Sequence, residues 1–345
     1  MIMALARRWR ALAIAGGASL LLLAGVARAA EAPPPPLEVS ELRYQGWAAR
    51  VTPPELAEAL GYMAPLKLKW IGNTYSGPQD VQAVVTGDID YGGAFNGAIA
   101  KLIAVHAPIK AVIAYIGTDK DNATGLYVLE DSPIKSARDL IGKTVGMNTL
   151  AAYSEYLLDD YLLRNGPSGE EIKQITLVAG PPVNLALLLR AKRLDATFLQ
   201  DLARDKAVEQ GGIRPLTTDF DEYGAYSLAS YVFTDKFIKD NPRTLAHFVG
   251  ATARAIEWAR TTPRDQVLER LRQIVRDRRR NEDVSVTDHW KSYAVAGRGG
   301  LMSDAEFSTY IDWYVRTGQL RAGQVKPADV YTNRFNPYRS ETASR

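Results

Sequence analysis

The chain has 345 residues, with 42 Lys+Arg against 39 Asp+Glu and a net charge of +3; residues 1–29 hold four arginines and no acid. The remainder is therefore about one charge negative, which removes the electrostatic case for a nucleic-acid partner. Cysteine is absent, which excludes disulfides, thiolate catalysis and cysteine-ligated metals, and leaves core packing by a 46% hydrophobic chain as the source of stability.

Residues 1–29 carry the parts of an export signal: Arg7, Arg8 and Arg10, an apolar run over 11–26, and Ala27-Arg28-Ala29 as a small-x-small cleavage site. The run is short for a membrane-spanning helix, so a cleaved, periplasmic product is expected. Pro33 to Pro36 make 30–36 an extended spacer.

Residues 37–44 alternate as a first strand, and Thr52-Pro53-Pro54-Glu55 predicts a helix start with Thr as cap and Glu reaching back. The stretch 66–71 alternates as a half-buried strand. Helix 77–86, strand 89–92, helix 96–106 and strand 109–115 complete a βαβ series, which implies a mostly parallel sheet. Gly117-Thr118-Asp119-Lys120-Asp121-Asn122 interrupts it and reads as a crossover between two lobes.

A second series follows: strand 126–129, a short helix from Ser136, strand 144–147, helix 151–165, strand 173–178, helix 182–191, strand 195–199, helix 202–210 and strand 213–217. Residues 218–226, with Asp219, Asp221, Glu222 and Gly224, read as the return crossover. From Ser230 the pattern turns helical. Asn241-Pro242 opens a helix to Arg260, 263–280 forms a basic helix, and Ser303-Asp304-Ala305-Glu306 opens a helix to Thr317. The run Arg276, Arg278, Arg279, Arg280 reads as a solvated face. The division expected is thus 37–117 as the first part of lobe 1, 118–229 as lobe 2, and 230–345 as the helical completion of lobe 1.

Gly142-Lys143-Thr144 lacks the first glycine of a phosphate loop and leads into a strand, and Gly92-Gly93-Ala94-Phe95-Asn96-Gly97 has the wrong spacing for a dinucleotide loop. His106, His247 and His289 are too scattered to form a metal-ligand set. No cofactor, metal or catalytic residue is expected.

The runs Ile141-Gly142-Lys143-Thr144-Val145-Gly146, Pro181-Pro182 and Leu194-Asp195-Ala196 resemble periplasmic substrate-binding proteins of ABC importers for aliphatic sulfonates, taurine and nitrate. Ser76-Gly77-Pro78-Gln79, Gly87-Asp88-Ile89-Asp90-Tyr91-Gly92 and Pro108-Ile109 carry the same resemblance. It covers about 38–260 and extends to binding proteins for thiamine-pyrimidine precursors. It implies an α/β, type II periplasmic-binding fold: two doubly wound α/β lobes, a hinge and C-terminal helices. It also implies a small organic anion, a sulfonate or carboxylate, captured between the lobes, a membrane permease as partner, and a monomer. An enzyme of pyrimidine precursor synthesis and a sensory module for a membrane receptor are the alternatives. Asn148-Thr149-Leu150-Ala151-Ala152-Tyr153 stands where sulfonate and nitrate members carry a Gly-Ser pair, and Leu199-Gln200-Asp201 replaces their Trp-Glu-Pro.

The candidate ligand residues follow from helix starts and strand ends. Trp47 and Arg50 follow the first strand, one as a flat cover and the other as a bidentate cation. Ser76 and Gly77 open a helix, where Ser76 either meets ligand or closes a capping box with Gln79. Phe95 and Asn96 open the next. Asn148, Thr149, Ala151 and Tyr153 surround a helix entry in the second lobe, and Asn184 and Asp201 stand at two later helix starts, where N-capping is the simpler reading. Tyr226, with Tyr223, flanks the return crossover.

Overall fold

In the first strand, β1 (Glu41–Gly46), Leu42 and Tyr44 are buried while Glu41, Arg43 and Gln45 face outward, the period-two pattern of a strand with one covered face. This is a computed structural model; it describes residues 35–340 apart from 48, 49, 75 and 151. The expected export signal, most of the proline spacer and Ala151 lie outside the described residues. Glu55 closes the predicted capping box on α1 (Pro53–Ala59), accepting from Thr52 N at 2.9 Å and Thr52 Oγ1 at 3.0 Å. The chain then returns as β2 (Lys67–Asn73), parallel to β1.

α2 (Gly77–Thr86) matches its expected span and ends on Gly87 at φ 80°, a left-handed stop that favours glycine. β3 (Gly92–Phe95) begins three residues later than expected, because 88–91 form a bend that sends Ile89 and Tyr91 into the core. α3 (Asn96–Ala104) and β4 (Ile109–Thr118) follow.

In the other sheet, β5 (Gly125–Leu129) is followed by β6 (Thr144–Met147), α4 (Tyr153–Arg164), α5 (Gly169–Ile172), β7 (Thr176–Ala179), α6 (Pro182–Arg190), β8 (Ala196–Leu199), α7 (Asp201–Glu209) and β9 (Ile213–Thr218). Its order is β7-β6-β8-β5-β9; β7, β6 and β8 run parallel, and β5 is antiparallel to both neighbours.

After α8 (Asp219–Tyr223) the structure departs from the sequence expectation. Residues from Ser230 were expected to be helical, whereas β10 (Tyr226–Thr234) is a strand lying between β3 and β4 and antiparallel to both. The first series is therefore not one parallel sheet: β1 and β2 form a parallel pair, and β3-β10-β4 a three-stranded sheet. The strand escapes periodicity because it is covered on both faces and shows no alternation. The chain passes between sheets at 118–125 and returns at 218–226.

The remaining elements are α9 (Asp235–Asp240), α10 (Pro242–Thr261), α11 (Arg264–Asp277), α12 (Ala305–Arg316) and α13 (Pro327–Val330). The arginine run at the end of α11 corrects a second expectation. Arg276 is exposed and pairs with Glu269, but the side chains of Arg278 and Arg280 are 8% and 9% exposed and both bind Glu55. They are the internal counter-ions of a buried carboxylate, not a solvated face.

Candidate functional site

Arg50 and Asp201, 151 residues apart along the chain, are brought together. Asp201 is the first residue of α7 at φ 49°, just beyond the C-terminal end of β8, and its Oδ1 lies 3.1 Å from Arg50 Nη2. The two side chains remain 39% and 51% exposed, so the pair is open to competition by a ligand anion. Trp47 is half-buried beside it and closes a turn, its carbonyl accepting from Arg50 N at 3.2 Å.

The loop carrying Arg50 rests on the Glu55 cluster. Glu55 Oε1 accepts from Tyr44 Oη at 2.6 Å, Arg280 Nη1 at 3.0 Å and Arg278 Nη1 at 3.1 Å, and Arg278 Nη1 also reaches Arg50 O at 3.2 Å. Sequence reasoning missed this support because its cations lie more than two hundred residues away from the loop they hold.

Ser76 caps α2 with its backbone, but its side chain makes no capping bond, so the box with Gln79 is not formed. Gly77 permits a close approach that any side chain would block: a Cβ there would lie 2.9 Å from Ala94 Cα. One turn on, Asp80 is 2% exposed; Oδ2 accepts from Gly93 N at 2.6 Å and Oδ1 has no partner, and burial pushes its pKa up to about 7.

Phe95 is half-buried, with its ring centroid 6.2 Å from Tyr153 and 5.8 Å from Tyr310. Asn96 is corrected as a contact residue. It is fully buried, its amide donates to Ser227 O and Glu306 O, and its Oδ1 accepts from Ser230 Oγ at 2.8 Å, so its polar atoms tie α3 to β10 and α12.

In the second sheet, Asn148 and Thr149 are exposed after β6, and Asn148 Oδ1 accepts from Ser154 Oγ at 3.5 Å. Asn184 is exposed in α6, which is capped by Pro181, and Gln200 caps α7, so neither Asn184 nor Asp201 is an N-cap. Tyr153 is 7% exposed, and its hydroxyl donates to Asp219 Oδ2 at 2.6 Å and also meets the Tyr226 hydroxyl.

Asp219 is the residue that the sequence reading placed in a crossover without a role. Its Oδ1 accepts from Thr118 Oγ1 at 2.8 Å and Thr124 N at 2.9 Å, so one carboxyl ties both passages between the sheets to the start of α4. Burial pushes its pKa up to about 6 against the opposing effect of these bonds. The Thr218–Asp221 capping box was the local signal for this turn. Among the described residues, no cluster of His, Cys, Asp and Glu could hold a metal.

Of the sequence-derived candidates, Tyr226 and its neighbour Tyr223 line the cavity of about 790 Å³ between α4, the return crossover and α12.

The family model described as NMT1/THI5 like matches residues 52–266. A curated relative from Escherichia coli (strain K12), named "Putative aliphatic sulfonates-binding protein", is 29% identical over 172 residues, which is 49% of this chain and 52% of the relative. The match thus spans about half of that protein. Among solved structures, the periplasmic aliphatic sulphonate binding protein of Escherichia coli superposes with TM-score 0.64 at 19% identity, covering 85% of this chain and 92% of that one. The desulfurization enzyme DSZB superposes with TM-score 0.58 at 16% identity, covering 89% and 100%. The fold is therefore that of the periplasmic binding proteins, as the resemblance implied, and it also occurs in an enzyme.

Proposed function

We propose that this chain, which belongs to the NMT1/THI5-like family, is the solute-binding component of an ABC importer, capturing a small organic anion at Arg50 and delivering it to a membrane permease. The observation that carries the reading is the Arg50–Asp201 pair, a half-exposed guanidinium held by a carboxylate across the two sheet systems. A ligand sulfonate or carboxylate replaces Asp201 as the partner of Arg50, with Trp47 and Phe95 beside it as flat cover and Ser76 as a hydroxyl donor. The curated relative's name supports an organic acid as cargo.

The two passages 118–125 and 218–226 then serve as the hinge between a lobe built on β1 to β4 with β10 and a lobe built on β5 to β9, joined at Asp219. Residues 1–29 direct the chain to the periplasm, where it works as a monomer. A catalytic reading has little to act through: the chain has no cysteine, and His247 Nε2 is engaged with Met63 O at 2.8 Å.

A thermal-shift screen of alkanesulfonates, carboxylates, nitrate, sugars and amines tests the reading, since ligand at a hundred times its Kd adds about 2.7 kcal/mol of stability. Sulfonates or carboxylates are expected to give the largest shift. Replacing Arg50 by Ala is expected to weaken their binding about ten- to a hundredfold, as loss of a charge-assisted bond of about 1.5–3 kcal/mol implies. A sugar or an amine as the tightest ligand would overturn it.

A further inference from the structure

We propose that the cavity between α4, the return crossover and α12 is a second ligand site, distinct from Arg50, that takes an aromatic monoanion. Its volume of about 790 Å³ lies within the range of small-molecule sites. Four tyrosine rings from four elements line it: Tyr156 of α4, Tyr223 of α8, Tyr226 of β10 and Tyr310 of α12. Tyr156 packs edge-on against Tyr310 with centroids 4.7 Å apart and lies nearly parallel to Tyr223 at 6.0 Å, so the wall already has the offset and edge-to-face geometry that another flat ring would extend. Leu301 and Met302 add an apolar side.

The charged lining sets the sign of the ligand. Arg164, Arg260 and Arg298 line it against two acids, Glu222 and Glu306; Arg260 is paired with Glu257, whereas Arg164 shares Asp160 with Arg316, so one carboxylate serves two guanidiniums at that end. Both acids are engaged by the protein: Glu306 accepts from Ser227 N at 2.9 Å and Ser303 N at 3.0 Å, and Glu222 accepts from Thr217 Oγ1 at 2.7 Å. Arg164 sits with its guanidinium 4.8 Å from the centre of the Tyr223 ring and uses Nε on Asp160, so a cation and a ring are presented together from the end of α4.

The Tyr310 hydroxyl is closed off from water beside that of Tyr226, so it is the ring of Tyr310 that this wall offers to a ligand. The ligand is therefore a flat apolar body bearing one carboxylate or sulfonate. The site is separate from that of Arg50, which is not among the residues lining this cavity.

The test uses the full-length processed protein and 2-naphthoate as probe, followed by calorimetry. The wild type is expected to bind it, with 2-naphthylmethanol, the uncharged counterpart, at least about tenfold weaker. Replacing Arg164 by Gln, or Ala296 by Trp to fill the cavity, is expected to weaken naphthoate about tenfold or more. Tyr310→Phe removes only the enclosed hydroxyl and keeps the ring; it is expected to leave naphthoate affinity within about twofold. Replacing Arg50 by Ala leaves naphthoate binding within about twofold, which separates this site from the cargo site. No binding at millimolar naphthoate, or loss in Arg50→Ala with none in Arg164→Gln and Ala296→Trp, would overturn the proposal.

Discussion

Glu55 and Asp80 stand in the first turns of α1 and α2, both almost completely buried at 5% and 2% exposure, yet their surroundings are opposite. Glu55 is met by two arginines, a tyrosine hydroxyl and both polar groups of Thr52; Asp80 is met by one backbone N–H and keeps Oδ1 unpartnered. The difference teaches that burial alone does not decide the state of a carboxyl. Compensation matters as well: with a single backbone donor to offset its burial, the Asp80 carboxyl is pushed up to about 7.

The largest effect should come from breaking the compensated side. Glu55→Gln leaves Arg280 without its carboxylate partner and Arg278 with Glu282 alone, and a loss of roughly 3–5 kcal/mol in denaturant unfolding is expected. A loss below about 1 kcal/mol would mean that the cluster relaxes into solvent and the contrast with Asp80 is not real.

Asp80→Asn sharpens the other side through pH. The folded pKa of Asp80 is raised from 3.8 to about 7, so between about pH 4 and pH 7 the folded chain keeps a proton that the unfolded chain has released. Stability therefore falls as pH rises through this window, by up to about 1.4 kcal/mol per unit from this group. The Asn variant should flatten that slope in melting curves recorded from pH 4 to 8; an unchanged slope would show that the carboxyl is compensated after all.

Asp219 lies between the two extremes, buried but met by three donors, and its pKa of about 6 gives the same sign over a narrower window, from about pH 4 to 6. Asp219→Ala leaves the Thr124 N–H and the Tyr153 hydroxyl without this acceptor, and a loss of about 1–3 kcal/mol is expected in thermal unfolding. The smallest effect belongs to the exposed pair. Asp201→Asn removes the internal competitor for Arg50 and should tighten acid binding about two- to fivefold by calorimetry, the scale of an exposed ion pair of about 0.2–1 kcal/mol. Weaker binding would mean that Asp201 itself holds the ligand.

Local structure was legible wherever the signal is local. The Thr52–Glu55 box, the Gly87 stop and the parallel strands β6 and β8 follow from capping chemistry, left-handed glycine and short apolar runs, and the family resemblance follows from the same stretches. Asn96 shows where this fails. Its position at a helix start is readable, but whether a helix-start amide faces a ligand or the core depends on what packs over it, here Ser227, Ser230 and Glu306.

The sequence alone determined the alternation of strands and helices, the absence of thiol chemistry and the family, because each depends on residue type and short spacing. Only the tertiary structure decided that β10 lies between β3 and β4, that Arg278 and Arg280 neutralise Glu55, that Asp219 ties the two passages, and that Arg50 meets Asp201. These are contacts between residues 95 to 225 apart along the chain, chosen by which buried polar groups can satisfy one another once the sheets have packed, and no local pattern encodes that choice.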